Sequence, residues 1–265
     1  MLCWNVWSIL NDEKRNNVLQ VLEDYKIHIA CITETWFDAK NGKFTADIRE
    51  AGYEIVHDFR DGQRGGGTAI LYKNNLNAKP GEASSSKYGS FEFSIITLTI
   101  DKSKTMIVCV YRKQEQSCTL FCDEIELLIE SIFDSSDILI IVGDFNLWID
   151  VEGDADAEKV VSLMNAYGLS QIVDKQTHRE GHTLDHVYVN PFQLDLKCDI
   201  LDDTFEISDH FPVIVDLPVI THKPKKRTIS YRNTRDIDIE SLIAGFKNMF
   251  EELNDEDNAT FEMKV

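Results

Sequence analysis

A series of short, strongly apolar runs limits this chain to one class of structure. LCWNVWSI (2–9), HIACIT (28–33), YEIV (53–56), TAILY (68–72), FSIITLTI (93–100), MIVCVY (106–111), ILIIVG (138–143), HVYV (186–189) and FPVIVDL (211–217) are rich in β-branched and aromatic residues. Most are apolar at successive positions, so both faces of the strand need cover. Helical patterns lie between them. Val18, Leu19, Val21 and Leu22 mark 12–25, Leu120, Phe121, Ile125, Leu128 and Ile132 mark 119–133, and Ala157, Val160, Val161 and Met164 mark 156–167. Each set recurs on one helical face. The alternation predicts an α/β protein with stacked sheets and helices outside them.

With 265 residues, 43% of them hydrophobic, the chain suits one large domain or two small ones, without disulfide or metal staples. No run approaches the roughly 18 to 20 apolar residues a bilayer span needs. The start, MLCWNVWSIL, lacks a basic flank and a cleavage site, so an intracellular protein with no membrane partner is expected. Cys3, Cys31, Cys109, Cys118, Cys122 and Cys198 are scattered without a CxxC pair and read as reduced, buried thiols.

The net charge of -19 is unevenly placed: residues 1–216 hold 19 basic and 37 acidic side chains, and 217–265 hold 8 and 9. An acidic main domain argues against coating nucleic acid through a broad basic surface. It fits a narrower need, carboxylates that hold a divalent cation. Past Leu217 the pattern breaks into THKPKKRTISYRNTRD, with six basic residues and no acid from Lys223 to Arg235. This reads as a linker or arm, and KPKKR (223–227) suits nuclear import, phosphate contact or a plain basic linker. Residues 236–265 offer one amphipathic helix, Ile239 to Leu253. GQRGGGTAI (62–70) leads into a strand rather than a helix, so it reads as a tight turn and not a phosphate loop. DVEGDADAE (150–158) lacks the Gly and terminal Glu of an EF-hand and reads as a helix N-terminus.

Four polar clusters stand at strand ends, where α/β folds place functional groups. They are Asn5 in the first strand, Glu34 after HIACIT, Asp144 and Asn146 in GDFN after ILIIVG, and Asp209 and His210 in SDH before FPVIVDL. Singly, each suits a turn, a cap or a satisfied core residue. Together they imply a shared mouth whose carboxylates need a cation between them. Oxygen donors without a Cys/His spacing point to Mg²⁺, with Mn²⁺ as the alternative.

The ordered set of Asn5 in WNV, Glu34 in TETW, Tyr111 in VYR, Asp144 and Asn146 in GDFN, Asp185 in TLD, and Asp209 and His210 in SDHFPV resembles the endonuclease/exonuclease/phosphatase superfamily. Within it, YGLSQIVDKQTHREGHTLDHVYV (167–189), ETWF (34–37), RGGGTAIL (64–71) and YRNTRDIDIE (231–240) are similar to the endonuclease domain of LINE-type non-LTR retrotransposons. The resemblance implies the DNase I-like fold over residues 1–217, a four-layer α/β sandwich of two stacked mixed β-sheets flanked by helices. Residues 218–265 would then be a basic linker and short helical segment leading toward an absent reverse transcriptase domain. It implies a monomeric, Mg²⁺-dependent endonuclease that nicks a DNA target-site duplex, working in the nucleus. On this reading the chain is a truncated, excised or domesticated piece of such an element.

The roles implied are Glu34, Asn5 and Asp209 for the metal, Asp144 to activate water and Asn146 to bind phosphate or nucleophile. His210 would stabilise the phosphate, held by Asp185, and Tyr111 would contact it. Trp7 stands where relatives carry a polar or basic side chain, which implies slow turnover. His178 and His182 read as solvated loop residues or DNA contacts. Two other readings stay open: a superfamily phosphatase or phosphodiesterase for another phosphoester (a phosphoinositide, a sphingolipid or an abasic site), and an inactive retroelement-derived fragment.

Overall fold

A computed structural model describes residues 1–37, 42–58, 65–81, 87–190, 196–201, 207–217 and 238–249. The chain divides into two compact units, Met1–Lys223 and Pro224–Val265. In the second unit residues 239–249 are helical, with Ile239, Leu242, Ile243, Phe246 and Met249 at helical spacing. KPKKR, the remainder of the basic arm and residues 250–253 of the expected helix lie outside the described residues, as do residues 62–64 of the glycine-rich turn.

The first unit contains two six-stranded sheets. One holds β1 (Leu2–Asn5), β2 (Ile29–Thr33), β3 (Tyr53–Asp58), β4 (Thr68–Lys73), β11 (Cys198–Ile200) and β12 (Val213–Val215), in the order β11-β12-β1-β2-β4-β3. The other holds β5 (Lys79–Pro80), β6 (Phe91–Ile100), β7 (Ser103–Arg112), β8 (Ile138–Asp144), β9 (Ser170–Gln171) and β10 (Asp185–Asn190), in the order β5-β6-β7-β8-β10-β9. Both sheets are mixed: β1 runs parallel to β2 and β7 parallel to β8, while the other pairings are antiparallel. The helices are α1 (Asp12–Asp24), α2 (Gly42–Glu50), α3 (Cys118–Ile132) and α4 (Ala155–Ala166).

Strand alternation builds three cores. Cys3, Cys31, Ile107, Ile140, Val142 and Val187 meet between the sheets. Their neighbours in sequence point the other way: Leu2, Trp4 and Ile32 pack with Val18, Leu22 and Ile48 of α1 and α2. On the far side Val108, Leu139 and Ile141 pack with Phe121, Ile125 and Val160 of α3 and α4. This is why successive positions are apolar, and it makes the four-layer α/β sandwich. The cysteines are all free thiols, five of them buried and Cys198 partly so.

Boundaries differ from expectation where tertiary contacts intervene. The first strand stops at Asn5 and not residue 9, because Trp7 and Ser8 take left-handed φ of 42° and 78°. The last strand covers only Val213–Val215 of 211–217. Helix α2 and the short edge strands β5, β9 and β11 were not anticipated. Asp154 caps α4 by accepting the N–H groups of Asp156 and Ala157, which makes 150–158 a helix N-terminus. Gly65, Gly66 and Gly67 have φ of 93°, 70° and 88° and run straight into β4. At Gly67 a Cβ would sit 2.5 Å from the Thr35 hydroxyl, so only glycine lets this turn lie against 34–36.

Candidate active site

The two parallel pairs end at one edge of the sandwich. In the register of the second sheet Tyr111 pairs with Asp144, and Asp144 with Asp185, so three polar residues form a row across β7, β8 and β10. In the first sheet Asn5 pairs with Thr33, which places Glu34 one residue beyond. Asp209 and His210 come from the segment before β12, and the Trp4 indole N–H holds the His210 carbonyl at 2.9 Å. Asn5, Glu34, Asn146, Asp209 and His210 line one cleft of about 220 Å³.

Glu34 has φ of 53°. Its carboxylate accepts from Tyr111 Oη at 3.2 Å, Asn5 Nδ2 at 3.2 Å and Trp36 Nε1 at 3.1 Å. The turn is pinned by the Trp36 N–H donating to the Gly66 carbonyl at 2.8 Å. Asn5 also donates to Asp144 Oδ2 at 2.7 Å, while its Oδ1 accepts the Trp7 N–H at 3.1 Å. Its amide therefore spans two carboxylates that would otherwise repel. Asn146, with φ of 51°, is fixed by its own N–H to Asp144 Oδ1 at 2.9 Å and its Nδ2 to the Arg112 carbonyl at 2.9 Å. The buried Arg112 guanidinium returns a bond to the Asn146 carbonyl at 3.3 Å.

His210 is buried between acids. Its Nδ1 donates to Asp185 Oδ2 at 2.7 Å, and its Nε2 lies 4.0 Å from Asp144 Oδ2. Burial opposes the imidazolium, yet Asp185 and Asp144 outweigh it and raise His210 to about 10. Burial raises Asp144 to about 7; the His210 charge works against that rise and Asp185 adds to it. The result at neutral pH is a charged proton donor beside a carboxyl poised to gain or lose a proton. Asp209 pairs with His178 Nε2 at 3.3 Å. Burial works against its charge, but His210 and the His178 bond hold it below the usual carboxylate range.

The donor set suits a hard divalent cation. Carboxylates of Glu34, Asp144 and Asp209 and the amides of Asn5 and Asn146 supply oxygens, and Asp185 Oδ1 is buried with no hydrogen-bond partner. Two groups, His178–Asp209–His210 and Asp144–Asp185–His210, each hold three ligand atoms within 4.8 Å of one another.

A family model described as the endonuclease/exonuclease/phosphatase family matches residues 2–210. The chain belongs to this family. Solved family-like structures share its fold. An AP endonuclease from Archaeoglobus fulgidus is 19% identical, with a TM-score of 0.61 over 82% of this chain and 98% of that one. The Neisseria 3′ phosphatase NExo, bound to a product DNA hairpin, is 16% identical with a TM-score of 0.62 over 82% and 98%. The endonuclease domain of TRAS1, a telomere-specific non-LTR retrotransposon, is 15% identical with a TM-score of 0.62 over 82% and 97%. No curated protein matches the chain in sequence. At these identities the structural likeness extends to the fold and no further.

The structure gives the histidines near the site partners that the sequence alone does not show. His178 is buried against Asp209, while His182 stays partly exposed and stacks on Trp148 with 4.5 Å between centroids. His186 sits fully buried in β10, stacked on Phe145 at 4.6 Å and bonded to the Tyr188 hydroxyl and the Leu147 carbonyl, both at 3.1 Å. The chain leaving Asp144 is thus braced from beneath. The only signal in the sequence was a polar residue inside an apolar run.

Burial lowers His186 from its ordinary 6.5 to about 4, so it is neutral when folded. A group depressed in the folded state favours unfolding once the unfolded chain takes up its proton. Stability is therefore full above pH 6.5 and falls as the pH drops toward 4, by roughly 3 kcal/mol from this residue. Urea unfolding at pH 7.5 and pH 4.5 should show this loss, and His186→Gln should shrink it. An identical pH dependence in the two proteins would disprove the assignment.

Proposed function

We propose that this chain is a divalent-metal-dependent phosphodiesterase that acts as a DNA endonuclease. The observation that carries the reading is the convergence of separate strand ends on one spot: Tyr111 and Asn5 bond Glu34, Asn5 bonds Asp144, and His210, bonded to Asp185, lies 4.0 Å from Asp144. Glu34, with Asn5 and Asp209, would hold the cation, Mg²⁺ or Mn²⁺. When bound it would offset charge on the scissile phosphate and on the leaving oxygen.

The chain's own groups supply the rest. Asp144, near the pH of the cell in its proton affinity, takes the proton of the attacking water. Its other neighbour, Asn146, orients that water or the phosphate through an amide fixed by Arg112. His210 donates to a non-bridging phosphate oxygen as charge builds there, and Asp185 fixes the ring's tilt and charge. Tyr111, whose Oη donates to Glu34, would contact the same phosphate. Water adds to phosphorus, the P–O bond to the 3′ oxygen breaks with its electron pair going to that oxygen, and the alkoxide takes a proton from solvent to become the 3′-hydroxyl beside a 5′-phosphate.

The sequence similarity over 167–189 to LINE-type endonuclease domains favours DNA nicking in service of a reverse transcriptase, with work in the nucleus. The TRAS1 domain has the same fold. Supercoiled plasmid should relax only with Mg²⁺ or Mn²⁺, and Glu34→Ala should lower the rate about 10²-fold or more. Hydrolysis of abasic DNA or an inositol phosphate in preference to plain DNA would move the assignment to another phosphoester. No metal-dependent relaxation would overturn it.

A further inference from the structure

Two exposed indoles stand on the wall of the cleft. Trp7 is 53% and Trp148 is 47% exposed, and both line the space that also holds Glu34, Asn146 and His210. An exposed tryptophan gains little for folding, so its presence beside reacting groups needs another account.

The main chain of Trp7 and the ring of Trp148 are held in place. Trp7 adopts a left-handed φ of 42°, unfavourable for a residue of this size. Its N–H bonds to Asn5 Oδ1 at 3.1 Å, and its carbonyl accepts from Lys14 Nζ at 2.8 Å. The next residue, Ser8, donates its N–H to the Glu34 carbonyl at 2.7 Å. Such a conformation persists only where its surroundings impose it, and sites of function are where it collects. Trp148 stacks on the His182 ring with planes 11° apart. His182 is itself fixed by Asp150 at 3.0 Å, and Asp150 by the Thr183 N–H at 2.7 Å. The indole is thus positioned by contacts within the protein, with no ligand needed to place it.

Positive charge around them is sparse: Lys14 Nζ, 5.6 Å from the centre of the Trp7 ring, is committed to the Trp7 carbonyl. Among the described residues the cleft lining contains Glu34, Glu180 and Asp209 and no Lys or Arg. Phosphate contacts that release counter-ions are therefore scarce. Stacking on aromatic faces is the alternative source of affinity, and it requires bases that are not already stacked in a helix.

We propose that Trp148 and Trp7 bind unpaired nucleobases flanking the scissile phosphate, so that the cleft selects DNA whose strands are locally open over intact duplex. This rests on the nuclease reading and names its substrate.

The test is anisotropy with fluorescein-labelled single-stranded, bulged and fully paired oligonucleotides, with the full chain and Ca²⁺ in place of Mg²⁺. The single strand and the bulge should bind at least 10-fold tighter than the duplex. Trp148→Leu should weaken binding to them about 10-fold, Trp7→Leu by a similar factor, and Trp148→Phe should restore most of the loss. Equal or tighter duplex binding, or Leu variants that bind single strands like the parent, would overturn the proposal. Plasmid relaxation by the parent chain separates the two claims. Cleavage without preference for open strands sinks the stacking role and leaves the nuclease standing; preference without cleavage does the reverse.

Discussion

Replacing His210 by glutamine is expected to lower the single-turnover nicking rate about 10³-fold, with little change in DNA binding. Loss of one preorganised donor to a developing oxyanion costs on the order of 10²–10³-fold, and this donor carries full charge because Asp185 and Asp144 hold its proton up to about 10. Asp185→Asn keeps the ring but removes the charge behind it, so a smaller loss, about 10²-fold, is expected. His210→Gln should also destabilise the fold. It leaves two buried carboxyls, Asp144 and Asp185, without their cation, and a broken buried pair costs about 3–5 kcal/mol. The double variant His210→Gln/Asp144→Asn separates the effects: it should regain part of the melting temperature and none of the activity. Retention of more than about a tenth of the rate by a folded His210→Gln protein would exclude the histidine from the chemistry.

Among the described glycines, Gly143→Ala should be the most damaging added methyl. Gly143 has φ of 147° and pairs with Val110 in the parallel β7–β8 ladder. An added Cβ would lie 1.8 Å from the Val110 carbonyl oxygen, a distance no backbone tolerates. The clash can be relieved only by parting the two central strands, and with them Tyr111 from Asp144. A loss above about 4 kcal/mol is expected, enough to remove most folded protein. Gly153→Ala is the matched control. Its φ is 85° with nothing within 4 Å, so it meets the conformational cost alone, about 1 kcal/mol. Urea midpoints of the two variants compare steric with torsional cost. Similar midpoints would show that β7 and β8 are not held at this spacing.

The sandwich was legible because its chemistry is local. A strand such as ILIIVG must be apolar on both faces if it lies between another sheet and a helix, and Ile140 and Leu139 duly face different cores. Polar residues at the ends of those strands were legible for the same reason, since an Asp or Asn that interrupts an apolar run announces where burial stops. Helix α2 was not. Among the described side chains of α2, Phe44 and Ile48 are the buried hydrophobics, and a two-contact stripe is too short for periodicity to register. The two-residue strands β5 and β9 carry too little pattern to be told from loop.

What the sequence determined by itself was the layering, the order of polar groups along the chain and the family those groups resemble. What only the tertiary structure decided was their company. Asn5 meets Asp144 across 139 residues, Tyr111 meets Glu34 across 77, and Trp4 fixes His210 across 206. The charge of His210, the poise of Asp144 and the exposure of Trp7 and Trp148 all follow from such meetings. Periodicity reports which face of an element is covered. It says nothing of which element covers it, and a side chain's protonation and reach are set by that neighbour.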